Sequence, residues 1–303
     1  MASGRIAISV PGVQGNPSWG TRRKAAFYSI VILLVVAMSV AFWKLNLFPV
    51  FAWLPGDVLE RLYASQLAFD RVEGSFAPHI IHYLGLSAGH VMVLFGLALQ
   101  LRRPWTKVAP IWQASGGLAL SVLTLPFVVV SVGSGSISPA ILAVIALVIA
   151  AALFHPSTPF RQLPAPADRL MTGLWAVVLI PAAVLTVSQL RLELVGVEGD
   201  PHWQGLHYNI MAEFGLHVIL VGLLGASALH GWRYSAWSAS FMIGLLGVGF
   251  IVYPDHAGSQ GSAWGIAMVV WAALYLAAAE RRHRRRRVVD EAKIDAAREA
   301  IRA

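Results

Sequence analysis

The sequence predicts an all-α integral membrane protein of eight transmembrane helices, built as a parallel four-plus-four internal duplication with both termini cytoplasmic. Three observations carry this. Of 303 residues, 57% are hydrophobic and 13% charged, and the mean hydropathy is +0.66; a soluble domain of this length has trouble burying that much apolar surface. Eight apolar stretches are each about as long as the roughly 20 residues needed to cross about 30 Å of hydrocarbon. Basic and acidic residues alternate from one connection to the next, which fixes orientation because Lys and Arg concentrate on the cytoplasmic side.

The polar segment 1–24 ends in Arg22, Arg23 and Lys24 and leads into AAFYSIVILLVVAMSVAFW. No small-residue cleavage site follows, so 25–43 reads as a retained first span. The first external loop holds DVLERLYASQLAFDRVEG, 57–74, after a Pro-Gly break. Asp57 followed by Glu60 has the form of a helix start. Leu59, Leu62, Tyr63 and Phe69 fall on one side, as in an interfacial helix near 57–72. The second span, 79–101, is joined to the third, 108–132, by Arg102, Arg103 and Lys107. The break GSGSIS separates the third from the fourth, 137–154. A cytoplasmic linker, 155–167, closes the first four-helix unit, 25–154.

The second unit, 168–280, contains spans at 168–190, 206–229, 234–253 and 260–280. Glu193, Glu198 and Asp200 fall in an outer loop, Arg233 on the inside and Asp255 again outside. The run RRHRRRR, 281–287, opens a basic cytoplasmic tail, 281–303, expected as a charged helix or a polybasic lipid contact. Much of the +8 net charge sits there, so it is a topology signal and gives no reason to expect nucleic acid.

Shifting the chain by 125 residues brings Glu73-Gly74 onto Glu198-Gly199, His82-Tyr83 onto His207-Tyr208, Trp112 and Ala114-Ser115 onto Trp237 and Ala239-Ser240, and Gly133-Ser134 onto Gly258-Ser259, without a gap. Glu, His, Tyr and Trp are scarce enough for this to suggest a duplicated unit. An even number of spans per unit makes the copies parallel, related by an axis along the membrane normal.

The chain has no cysteine, which excludes disulfides, thiolate metal sites and cysteine nucleophiles and leaves nitrogen and oxygen ligands for any metal. Seven of the ten histidines fall in the outer half: His79, His82, His90, His202, His207, His217 and His256. His155, His230 and His283 lie on the cytoplasmic side. Histidine is common at membrane interfaces, so part of this asymmetry is explained by headgroup level alone. His79 and His82, three apart, share a helix face, whereas His90 lies about 16 Å further along the axis. In HYNIMAEFGLHV the residues Asn209, Glu213 and His217 recur every fourth position, a polar stripe that should face the bundle interior.

Two readings of these residues follow. In one, His90 and His217 approach across the pseudo-axis as axial ligands of a b-type haem, for electron transfer linked to a quinone or another redox partner. In the other, His79, His82 and His207 with a carboxylate hold a divalent metal, iron, copper or zinc, and Glu213 is a catalytic proton donor or acceptor toward a lipid or quinone. The plan of four plus four spans with histidines on the second and sixth resembles haem A synthase in outline. It departs from that family in having no histidine on the fourth and eighth spans and no cysteine in the external loops, and membership is not claimed.

The rival class is a small-solute or proton-coupled transporter, which parallel repeats, a buried carboxylate and the glycine-rich GLLGVGF, 244–250, also fit. Glycines in PDHAGSQGSAWG, 254–265, suit either a site loop near Asp255 and His256 or a plain turn between helices. No span carries a lysine for a retinal Schiff base, and no phosphate loop, dinucleotide fingerprint or nucleic-acid surface appears.

Overall fold

The computed structural model describes residues 20–46, 80–132, 139–157, 159–195, 207–255 and 258–302. The described residues form eight long α-helices and no named strand: α1 (Thr21–Asn46), α2 (Ile80–Ala98), α3 (Val108–Val132), α4 (Pro139–Phe154), α5 (Arg169–Val195), α6 (His207–Ala226), α7 (Trp232–Val252) and α8 (Ser262–Arg302). Six of them, α1, α2, α5, α6, α7 and α8, are long and apolar enough to cross a membrane; α4 contains a shorter apolar stretch, Val144–Phe154. The expected interfacial helix near 57–72 lies outside the described residues.

Burial sorts the helices into two shells. Of the apolar windows, 67% of α6 and 61% of α7 are buried, against 22% of α1 and 17% of α5. The inner helices α2, α3, α6 and α7 all touch one another. α1 packs on α2 and α4, α4 on α3, α5 on α6 and α8, and α8 on α7. Exchanging α1–α4 with α5–α8 therefore reproduces the main pairings, apart from α3 against α5. At the centre Gln113 Nε2 donates to Ser238 Oγ at 2.9 Å, a bond between positions 125 residues apart.

Helix ends that depart from the sequence expectation have identifiable causes. α2 tightens into a 3-10 turn at Leu99–Leu101 and stops before Arg103, whose φ of 51° is left-handed. α6 ends at Ala226, three residues before the expected 229. There the linker competes for the last carbonyls: Ala167 N donates to Ala226 O at 3.0 Å, and Arg282 donates to Gly225 O and Ser227 O at 3.1 and 2.8 Å. α5 starts under Asp168, whose Oδ1 accepts from Met171 N at 3.0 Å, an N-cap bond. α5 also runs on to Val195, five residues beyond the expected 190, which places Glu193 inside a helix and fully buried instead of in an outer loop. α8 continues without a break through the arginine run, its exposed tail supported by Arg287–Glu291 and Asp295–Arg298 pairs.

Two side chains at the basic end, where the arginine-rich turns lie, fix how the helices meet. Arg282 is 5% exposed and its guanidinium lies 4.0 Å over the Trp232 ring, so this member of the arginine run is a structural tie between α8, α6 and α7. His155 follows α4 and is fully buried. Its Nδ1 accepts from Ser157 N at 3.1 Å, so Nε2 carries the proton and donates to Gln100 Oε1 at 3.1 Å and Pro104 O at 3.0 Å. Gln100 passes the connection on to Gly96 O and Lys107 O. From α1, Arg23 donates to the carbonyls of Leu153, Phe154 and His155. α1, α4 and the α2–α3 turn are thereby joined through one neutral imidazole.

Burial pushes the His155 pKa down from 6.5 to about 4, with Arg23 adding to the effect against the Pro104 bond. The unfolded chain takes up this proton first, so the stabilising contribution is complete above pH 6.5 and is lost as the pH falls toward 4. Thermal unfolding in detergent should show a loss on the order of 3 kcal/mol across that window, and His155→Gln should remove most of this acid sensitivity.

Candidate functional site

The stripe on α6 faces inward, with Asn209 and His217 each 5% exposed. Its start is anchored by Glu193 of α5, whose Oε2 accepts from Asn209 N at 3.2 Å; a carboxylate beside a helix N-terminus meets both unpaired N–H groups and the positive end of the dipole. One turn on, Asn209 Nδ2 donates to Glu213 Oε1 at 3.0 Å. Ser121 of α3 donates to Glu213 Oε2 at 3.0 Å. Each oxygen of the Glu213 carboxylate therefore has a fixed donor, one from its own helix and one from across the bundle.

The two deep histidines are tied to backbone carbonyls. His217 Nε2 lies 3.0 Å from Gly117 O, and His90 Nδ1 lies 3.0 Å from Leu86 O. A carbonyl only accepts, so these ring nitrogens carry the protons. In the neutral rings the lone pairs then reside on His217 Nδ1 and His90 Nε2. His217 fits because its neighbours lack side chains: a Cβ at Gly89 would stand 3.2 Å from its Nδ1, and one at Gly117 would stand 2.6 Å from Met92 Cε. His90, Glu213, His217, Ser121 and Gly89 line one cavity of about 60 Å³ between α1, α2, α3 and α6, bordered by apolar groups that include Met38 and Phe214. Glu213 lies six residues into α6, about 9 Å from its start, and His217 about 15 Å.

The expected catalytic residue Glu213 and the expected ligand pair His90 and His217 are thus brought to one cavity. Its size bears on the occupant. Sites for drug-sized ligands occupy about 300–1,000 Å³, and a haem between His90 and His217 has no such room, whereas a few waters do, each needing about 10–15 Å³. Of the other expected set, His79, His82 and His207, the first and the side chain of the last lie outside the described residues. His82 is 2% exposed and lies against Gly258, where a Cβ would stand 2.8 Å from its Nε2. Among the described residues, no group of three or more histidine and acidic side chains is placed to hold a metal ion.

Ser121, Asn209 and Glu193 were not singled out as site residues by the sequence reading of function. Asn209 carried a signal, its four-residue spacing from Glu213, but Ser121 approaches only through the packing of α3 on α6. Compared with known protein families, with characterised proteins and with solved structures, the chain matches none of them.

Replacing Glu213 by leucine strands the Asn209 amide donor in a buried setting, which costs about 1–3 kcal/mol, while Ser121 falls back on Gly117 O at 3.3 Å. In denaturant titrations in detergent Glu213→Leu should lose more stability than Ser121→Ala, and the double variant should lose less than the sum of the two, since they share one bond.

Proposed function

We propose that this chain is a plasma-membrane protein of eight spans, with both termini cytoplasmic, and that His90, Glu213 and His217 form a proton-exchange site within it. The carrying observation is the polar cavity itself: a carboxylate and two imidazoles, each ring with one nitrogen turned to a carbonyl, around space for a few waters. Intramembrane Asp, Glu and His in such company mark proton pathways in pumps and transporters. A carboxyl and two imidazoles around shared waters are the groups that a proton relay needs. A proton-coupled membrane transporter is therefore the function favoured.

Six long apolar helices support the membrane reading, and the placing of α3 and α4 between them supports the count of eight. The 125-residue duplication is supported by the matching helix pairings and by the Gln113–Ser238 bond. It is supported also by Trp112 and Trp237, which both donate an indole N–H: Trp112 to Pro159 O and Gln162 O in the linker after the first unit, Trp237 to Glu280 at the end of the second.

The hydrogen bonds of the histidines favour a second reading. Metal-ligating histidines hold their other ring nitrogen on a carbonyl or carboxylate, as His90 and His217 do. Here a redox-active ion, iron or copper, would be held by His90 Nε2, His217 Nδ1 and Glu213, although these three are not drawn together as a ligand set in the structure.

The protein in lipid nanodiscs, taken through a pH jump, should give an infrared carboxyl difference band that vanishes in Glu213→Gln and shifts in His90→Ala. No such band in the unaltered protein would end the proton-exchange reading, and stoichiometric metal in the purified protein, lost in Glu213→Gln, would favour the second. Topology is directly testable because the chain has no cysteine: Asp255→Cys should react with an impermeant maleimide in intact cells, and Arg285→Cys only after permeabilisation. The reverse pattern would invert the protein in the membrane.

A further inference from the structure

A second cavity, about 280 Å³, lies between α5, α6, α7 and α8, and it occupies the duplicated counterpart of the polar one. Gly89, His90, Val93, Leu118 and Ser121 line the small cavity; the residues 125 further on, Phe214, Gly215, Val218, Ile243 and Leu246, all line the large one. In the second copy His90 is matched by Gly215 and Ser121 by Leu246, so imidazole and hydroxyl give way to hydrogen and isobutyl. The position is kept and its chemistry is reversed.

α5 and α8 are clamped at the basic end, where Trp271 Nε1 donates to Leu174 O at 2.8 Å and Arg282 lies 4.0 Å from Asp168. Beyond that clamp Pro181, Val184 and Leu185 of α5 and Trp264, Ala267 and Met268 of α8 line the opening. Phe214, Ile243, Leu246 and Phe250 form the buried inner wall. Of the lining residues, Val177, Val184 and Trp264 are each more than half exposed, so the opening faces whatever surrounds the helices. Among the described residues, the polar lining side chains besides tryptophan are Ser188 and Gln260, both at the end away from the clamp.

We infer that this crevice is a binding site for one acyl chain of a membrane phospholipid, entering sideways between α5 and α8. The inference rests on the membrane reading above. Apolar cavities of about 150 Å³ stay dry and take up benzene, so a larger one opening onto hydrocarbon is filled by hydrocarbon. The headgroup stays at the mouth beside Gln260 and Trp264, near the first turn of α8, the level at which indole rings favour the interface. Phe214 lines both cavities, so the acyl chain would lie against the ring that walls the proton-exchange site.

The test uses the full chain in nanodiscs of phosphatidylglycerol doped with the same lipid carrying a diazirine in its acyl chain. After irradiation, adducts are expected on the inner wall, at Phe214, Leu246 or Phe250. Ala267→Trp should fill the crevice and reduce them by about tenfold, the effect of 1.4 kcal/mol of lost affinity, while adducts on the outward Ile180 and Leu274 persist. Trp264→Ala, which opens the mouth, should retain the wall adducts and guards against misfolding of the tryptophan variant. An unlabelled wall, or wall adducts indifferent to Ala267→Trp, would overturn the inference; so would their displacement by an equimolar quinone, which would make the occupant a quinone. Failure of the protein to partition as an integral membrane protein would instead defeat the membrane reading.

Discussion

Away from water, a polar side chain must find its partner within the protein, and the available acceptors are backbone carbonyls. The interior of this bundle is organised around that constraint. Gln113 reaches Met92 O, Trp175 reaches Ile219 O, Tyr275 reaches Gly222 O, and Thr186 bridges toward Ala212 O. Each bond joins two helices, and each uses a carbonyl that already serves its own helix, because oxygen has a second lone pair to offer. Bonds of this kind are worth about 0.6 kcal/mol on average between membrane helices. Their contribution is therefore less to strength than to register: a helix sliding by one residue would lose all of its bonds together. His90 and His217 obey the same rule, and their orientation at the cavity is a by-product of it.

The four inner helices between them border two cavities of opposite character. Where α1 and α4 pack together, the adjoining cavity is small and polar. Where α5 and α8 line the opening, the matching space is large and apolar. The inner helices need not move to produce this difference; the outer helices and five lining side chains suffice. The carboxylate of the polar cavity comes from α6 alone; 125 residues earlier, in α2, stands Ala88, fully buried.

Most of the helical architecture was legible in the sequence because long apolar runs leave few alternatives, and the ends of α3 fall where the hydrophobic pattern puts them. The inward face of Asn209, Glu213 and His217 was equally legible, since a four-residue period has one meaning on a helix. Glu193 was not: its neighbours look like a loop, and only the need to cap α6 draws it into a buried turn. His155 and Arg282 were hidden for the opposite reason, each sitting in a stretch whose composition already had an explanation. The size of the cavity between His90 and His217 depends on Met38, Gly89, Ser121 and Glu213 meeting in space, and no spacing rule encodes the volume left among four helices.

The unbroken passage of α8 from the bundle into its charged extension has a consequence of its own. A helix of 41 residues is about 60 Å long, and its inner part is bolted down by Arg282 on Trp232 and by the Glu280 pair with Arg233. The final turns are therefore aimed, held at a set distance and bearing from the membrane-facing body like a mast on a hull. Whatever docks on the tip would register small rotations of α8 as large sideways displacements, an amplification that a slack tether could not deliver.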